Sequence, residues 1–196
     1  SIFIGHAGHP EVIGTLGQLP DGAITLVESV DDVAALPDFA DTSLSYLTQT
    51  TLSVDDTRDV IRALQHRYPE IMGPRGEDVC YATSNRQEAV KSIVDRCDCV
   101  IVIGAPNSSN SLRLVEVAER AGVPAYLVQR GSDVETAWLD NIDTIGVTAG
   151  ASAPETLVRE VIHAIAAHRP ISENIIVTAE ENMVFKLPRG LEAPAQ

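Results

Sequence analysis

Short apolar runs alternate with polar turns and helix-period segments along most of this 196-residue chain. The runs SIFIG (1–5), AITLV (23–27), LSYLTQT (44–50), DVCYA (78–82), CVIVIG (99–104), PAYLV (124–128) and TIGVT (144–148) are short, rich in β-branched residues and mostly apolar throughout. Such runs predict strands covered on both faces, as in a parallel sheet. Helical spacing appears between them. VDDTRDVIRALQHR (54–67) repeats Val54, Ile61 and Leu64, SLRLVEVAERA (111–121) repeats Leu112, Val115 and Ala118, and APETLVREVIHAIAAH (153–168) repeats Leu157, Val161 and Ile165. SIFIG followed by HAGHPE reads as strand, loop and helix, with Pro10 in the first helical turn. Regular alternation of this kind predicts an α/β protein with right-handed crossovers, in two stacked layers of mostly parallel sheet with flanking helices.

The Gly, Pro and charged residues of IMGPRGED (71–78) mark an internal boundary, so one unit is expected over 1–74 and a second over 75–170. The last stretch, 171–196, differs. IIVT (175–178) and NMVFKL (182–187) predict two short strands around AEE, paired as a hairpin, and EAPAQ reads as a disordered tail.

Composition narrows the classes. Apolar residues make up 44% of the chain and aromatics only 4%, so the core rests on Val, Ile, Leu and Ala. No apolar run reaches the roughly 20 residues needed to cross a bilayer, and SIFIGHAGHP has neither the basic start nor the long apolar stretch of a signal peptide. A net charge of −14 argues against nucleic acid and anionic membrane as partners, and means that any anionic ligand is held by local donors. Three cysteines, Cys80, Cys97 and Cys99, are too few and too clustered for a disulfide framework, which makes a reducing cytoplasm the default compartment.

The strand-to-helix turns carry the chemical signal. TQTTLS (48–53), ATSNRQE (82–88), APNSSNS (105–111) and TAGASAPE (148–155) each place Ser, Thr, Asn or Gly after a predicted strand and before a helix. Ligands of open α/β sheets bind at those carboxyl ends, where helix N-termini offer unpaired N–H groups. Ser, Thr and Asn are also ordinary N-caps, and a single such turn means no more than that. SSNS and TAGAS exceed the need of a cap, and Ser108, Ser109 and Asn110 in succession point to a ligand with several oxygens. Neither GxGxxG nor GxxxxGK[ST] is present, which argues against an ordinary dinucleotide or nucleoside triphosphate site.

His9 and Glu11 admit two readings: a cap and a dipole complement, or a cationic donor to an anion and a proton source. HxxHxE also resembles a metal motif, but Gly8 between the histidines gives no fixed face for ligation. Cys80, read as the end of a strand beside a polar turn, stands apart from Cys97 and Cys99, which read as buried small hydrophobes at the opposite sheet edge.

GHAGHPEVIGTLGQ, TQTTLSVDDT, GPRGEDVCYATSNRQEAV, GAPNSSNSLRL and VTAGASAPE, in this order, resemble the LytB-type 4-hydroxy-3-methylbut-2-enyl diphosphate reductase family from about residue 4 to residue 190. The resemblance implies a [4Fe–4S] enzyme of non-mevalonate isoprenoid biosynthesis. Such an enzyme removes the allylic hydroxyl of its allylic diphosphate substrate to give isopentenyl and dimethylallyl diphosphate, drawing on an electron donor such as ferredoxin or flavodoxin. It implies three similar α/β units around a cavity, of which this chain would carry the second and third of a trefoil-like whole. By position it makes Cys80 a cluster ligand and Glu11 the proton-delivering acid. His9, Thr50, Ser108, Ser109, Asn110 and Ser152 become substrate-binding residues. The family also has a unit before GHxGHPE with the other two cluster cysteines. Its absence from this sequence makes the chain read as a C-terminal piece, inactive alone. Two alternatives remain beside the reductase: a non-catalytic diphosphate-binding or interaction module, and an unrelated α/β enzyme using His9 and Glu11 on a phosphorylated metabolite.

Overall fold

The computed structural model describes residues 1–39, 43–76 and 78–184. Two three-stranded sheets, parallel throughout, are built from strands β1 (Ile2–Ile4), β2 (Thr25–Val27) and β3 (Tyr46–Thr48), then β4 (Cys99–Ile103), β5 (Ala125–Val128) and β6 (Ile145–Ala149). The strand orders are β2-β1-β3 and β5-β4-β6, so in each sheet the first strand in sequence lies in the centre. The helices are α1 (Pro10–Leu16), α2 (Val30–Ala35), α3 (Val54–Arg67), α4 (Tyr81–Ile93), α5 (Ser109–Arg120) and α6 (Glu155–His168).

β4 is the apolar run that gains most from burial. Cys99 is 2% exposed and Val100–Ile103 are fully buried. Val100 and Val102 pack with Val90, Val94, Leu114 and Ala118, while Ile101 and Ile103 pack with Val128, Leu139, Val161 and Ile165. Helices thus cover both faces, and each buried Val or Ile contributes about 1.5–3 kcal/mol relative to exposure. In the first sheet Ile2 and Ile4 pack with Val27 of β2, Val33 of α2, and Val60 and Leu64 of α3. The two units meet through helices: Gln87 of α4 bonds to Leu52 and Val54, Lys91 of α4 pairs with Asp55, and Arg120 of α5 pairs with Asp56.

Several sequence expectations shift. The chain at 78–82 forms no strand: Cys80 is the N-cap of α4, and ATSNRQE lies inside that helix instead of in a turn. The segment spanning 175–178 carries no strand among the described residues, with Ile175 76% and Val177 75% exposed. Of NMVFKL, residues 182–184 carry no regular structure and 185–187 lie outside the described residues, as does EAPAQ. The inward faces of α3 and α5 are also rotated from the predicted stripes. Thr57, Val60 and Leu64 face the core in α3, and Ser111, Leu114 and Ala118 in α5, leaving Leu112 36% exposed. The small Ser111 faces inward because α5 starts against the backbone of Gly104 and Gly150, where a larger side chain has no room.

Candidate functional site

Strand order fixes where the polar loops fall. In each sheet the chain leaves the central strand for one neighbour and then crosses over to the other side, so the strand order switches, and a crevice opens at the carboxyl ends, between β1 and β3 and again between β4 and β6.

At the first crevice the β1–α1 loop turns through Gly8, at φ 79, into His9, the N-cap of α1. His9 Nδ1 accepts from the backbone N–H of Glu11 at 3.2 Å. The cap thus occupies Nδ1 and leaves Nε2 as the ring nitrogen available to a ligand. Glu11 projects across the crevice. Its Oε1 accepts from Thr50 N–H at 2.9 Å and its Oε2 from the Thr50 hydroxyl at 3.0 Å. Beneath them Gln49, fully buried, accepts from His6 N–H at 3.0 Å and donates to Thr51 Oγ1 at 3.0 Å. Cys80 joins the group through its backbone, donating from N–H to Thr50 O at 2.9 Å. Its thiol is free and half-buried.

At the second crevice Ser108 is the N-cap of α5. Asn110 donates from Nδ2 to Ser108 Oγ at 3.0 Å, and its Oδ1 accepts from Ala151 N–H at 2.8 Å. Ser111 and Ser108 share a hydroxyl–hydroxyl bond at 3.0 Å. Ser109 is half-buried in the first turn, and Ser152 is exposed on the facing loop. Ser152 also lines a cleft of about 430 Å³ together with Gly104, Arg130 and Glu160. A second cleft, of about 340 Å³, lies between the units and is lined by His6, Ser53, Asp56, Arg113 and Arg120 among others. Of the expected site residues, Ser152 alone lines either cleft. The structure gathers them as two groups: His9, Glu11, Thr50 and Cys80, and Ser108, Ser109, Asn110 and Ser152.

The two crevices are copies of one another. IFIGHAGHPE (2–11) aligns without gaps on IVIGAPNSSN (101–110). His9 and Ser108 are both N-caps, and Glu11 and Asn110 both reach the loop after the third strand. Gly5 N–H donates to Val27 O as Gly104 N–H does to Val128 O, and Gln49 N–H to Ile4 O as Gly150 N–H to Ile103 O. Even the reason for glycine is shared. A Cβ on Gly5 would lie 2.8 Å from Val12, and one on Gly104 would strike Ser111, the aligned residue.

Cys97 and Cys99 sit at the amino end of β4, away from both crevices. Burial pushes both thiols up, Cys99 to about 11, so neither is a ready thiolate. Among the described residues no cluster of three or more His, Cys, Asp or Glu side chains is placed to hold a metal ion, and no helix is long and apolar enough to cross a membrane. The buried glutamines Gln49 and Gln87 escaped the sequence reading, since nothing in residue type distinguishes them from surface glutamines.

Parallel α/β units with polar loops at both strand-order switches define a protein of the class that takes ligands at the carboxyl ends of its strands. More narrowly, the chain belongs to the LytB family, whose model, described as LytB protein, matches residues 1–166. The 4-hydroxy-3-methylbut-2-enyl diphosphate reductase of Roseobacter denitrificans is 58% identical over 195 residues, covering 99% of this chain and 62% of the relative. That of Actinobacillus succinogenes is 54% identical over 193 residues, covering 97% and 62%. The chain therefore spans about 62% of the length of these relatives. Among solved structures, the E-1-hydroxy-2-methyl-but-2-enyl-4-diphosphate reductase of Plasmodium falciparum superposes with a TM-score of 0.79 at 38% identity, over 83% of this chain and 51% of that one.

Proposed function

We propose that this chain supplies the acid and the diphosphate cradle of a 4-hydroxy-3-methylbut-2-enyl diphosphate reductase, acting within a protein of its relatives' length. The observation that carries this reading is the pair of matched crevices: one is bridged by a carboxylate, Glu11 to Thr50, the other by a neutral amide, Asn110 to Ala151. The neutral crevice suits a polyanion. Ser108, Ser109, Asn110 and Ser152 add hydroxyl and amide groups to the N-terminus of α5, and the carboxylate that occupies the aligned position at Glu11 is absent there. The acidic crevice suits proton delivery. Glu11 is held on two atoms, so a proton arriving at its carboxyl group meets the Thr50 hydroxyl, and through it a substrate hydroxyl placed on that side. His9 offers Nε2–H to the same ligand.

The reductase reading implies a [4Fe–4S] cluster, which is held by cysteine thiolates. Cys80 is the one thiol among the groups at the two crevices, so this chain taken alone does not fit a cluster. A cluster is proposed only for the longer protein, with Cys80 as this chain's contribution, together with an external electron donor of the ferredoxin or flavodoxin kind and a reducing, cytoplasmic setting. The division into 1–74, 75–170 and 171–196 likewise stands as a proposal. The single thiol favours, for the chain by itself, the alternative of a diphosphate-binding module.

Titration of the chain with isopentenyl diphosphate, followed by calorimetry, tests the cradle. Anaerobic turnover by a protein of the relatives' full length tests the reaction. Absence of diphosphate binding by the chain together with absence of turnover by the longer protein would overturn the reading.

A further inference from the structure

We infer that Gln87 is a positioning residue that fixes the loop carrying Thr50 against the helix carrying Cys80. This deepens the proposed function, and rests on its reading of Thr50 and Cys80 as site residues. Gln87 is 1% exposed, an unusual place for an amide, and both ends of its side chain are used. Oε1 accepts from Val54 N–H at 3.0 Å, and Nε2 donates to Leu52 O at 2.8 Å. Both partners belong to the loop and first turn that follow β3, whereas Gln87 stands in the middle of α4, a helix packed on α5 of the other unit.

The same helix grips the same loop at a second point, where Cys80 N–H meets Thr50 O. The two grips are seven residues apart on one α-helix, roughly 10 Å along its axis. One grip would leave the 50–54 segment free to pivot; two set its place and its tilt together. From the opposite side Gln49 holds His6 N–H and Thr51, and Glu11 holds Thr50. The second unit shows what is special here. Its aligned loop has Gly150 where Gln49 stands, and it is tied across the crevice by Asn110. Extra bracing therefore occurs in the one crevice where a hydroxyl, a carboxylate and a thiol have to keep a mutual geometry. A leucine of similar length would satisfy the surrounding core, yet it would leave Val54 N–H and Leu52 O without partners.

The test compares the chain with Gln87→Leu and Gln87→Glu. Amide exchange of the 49–54 segment and the rate of Cys80 alkylation by iodoacetamide are read against two references in the same molecule, the β4 segment and Cys99. In Gln87→Leu, exchange at 49–54 and alkylation of Cys80 rise at least about tenfold, as expected for two buried hydrogen bonds lost together, with β4 and Cys99 unchanged. Gln87→Glu, which keeps the acceptor for Val54 N–H but sets a buried carboxylate oxygen against Leu52 O, accelerates both at least as much. If Gln87→Leu does not fold, the glutamate variant read against the same references decides. Equal acceleration at β4 and Cys99 would reveal general destabilisation and overturn the inference, as would an unchanged Cys80 rate. A parallel titration of the unmodified chain with isopentenyl diphosphate separates the two levels: failure to bind counts against the proposed function, while the Gln87 comparison is still decided by the thiol and amide rates.

Discussion

Replacing Asn110 by aspartate separates the architecture of the second crevice from its chemistry. The new side chain has the same shape, and its carboxylate keeps the bond from Ala151 N–H, now 2.8 Å long. It loses the donor to Ser108 Oγ, a neutral bond of 3.0 Å contributing about 1 kcal/mol. It gains a charge in the first turn of α5, where the helix dipole returns about 0.3–1 kcal/mol, and the Ser108 hydroxyl can turn to donate to it. The two changes nearly cancel, so the thermal midpoint is expected to move by no more than a few degrees. Ligand binding has no such compensation. One added charge roughly 5 Å from one phosphate charge costs about 3 kcal/mol at an effective dielectric of about 20. Screening at this half-buried site leaves roughly 1.5–3 kcal/mol, or about ten- to a hundredfold in Kd. Calorimetric titration with pyrophosphate and with isopentenyl diphosphate, beside a thermal melt, reads both quantities. Asn110→Ala provides the opposite pattern: it strips Ala151 N–H of its partner and costs about 1–3 kcal/mol of stability without adding repulsion. An aspartate variant that binds diphosphate within threefold of the parent chain would refute the assignment of this crevice to the polyanion.

Three further outcomes follow from the geometry. Gly5→Ala and Gly104→Ala are each expected to lower stability by about 1–3 kcal/mol in urea melts, since each Cβ meets the residue packed behind the turn; equal stability to the parent would show that the loops yield freely. Arg120→Ala removes a bidentate pair with Asp56 whose members are about half exposed, so about 0.5–1 kcal/mol is expected at pH 7. The Arg120 hydrogen bond holds the Asp56 carboxyl below the usual range, so this stability is present above the unfolded carboxyl pKa, near 3.9, and is lost as pH falls through the lower folded value; urea melts of both chains should converge in acid. In a full-length protein, Glu11→Gln keeps an acceptor for Thr50 N–H and hence the fold, and lowers anaerobic turnover by about 10²–10⁴ with little change in substrate affinity.

How much of this could be read from the sequence varies by element. β4 and α3 were clear because their apolar residues are periodic and uninterrupted; α3 runs over the residues its spacing indicates, Val54 to Arg67. The helix from Tyr81 to Ile93 was hidden because its buried face is Thr83, Gln87 and Val90, two polar residues out of three, so helical spacing did not show as an apolar stripe. Two valine-containing runs misled in the same way. DVCYA and IIVT have strand composition, but DVCYA makes a single backbone bond to a neighbouring segment, Cys80 N–H to Thr50 O, before Tyr81 starts α4, and IIVT is paired with no strand among the described residues. For the site, the residue types at the turns announced themselves. The bridges did not: Glu11 meets Thr50 across 39 positions of sequence only because β1 pairs with β3 in one register, Ile4 beside Thr48. The repeat itself was open to view in IFIG and IVIG, each followed at the same distance by a bridging residue.

That repeat hangs unlike side chains on one frame. His9 and Glu11 occupy the positions at which the second crevice has Ser108 and Asn110, so a carboxylate bridge and an amide bridge are carried by the same strand, turn and helix. The backbone ties at Gly5 and Gly104 match bond for bond, so the residue that bridges each crevice can change while the turn that presents it stays the same. A chimera that moved the histidine–glutamate loop onto the second frame would therefore carry the acidic bridge with it and leave the scaffold intact.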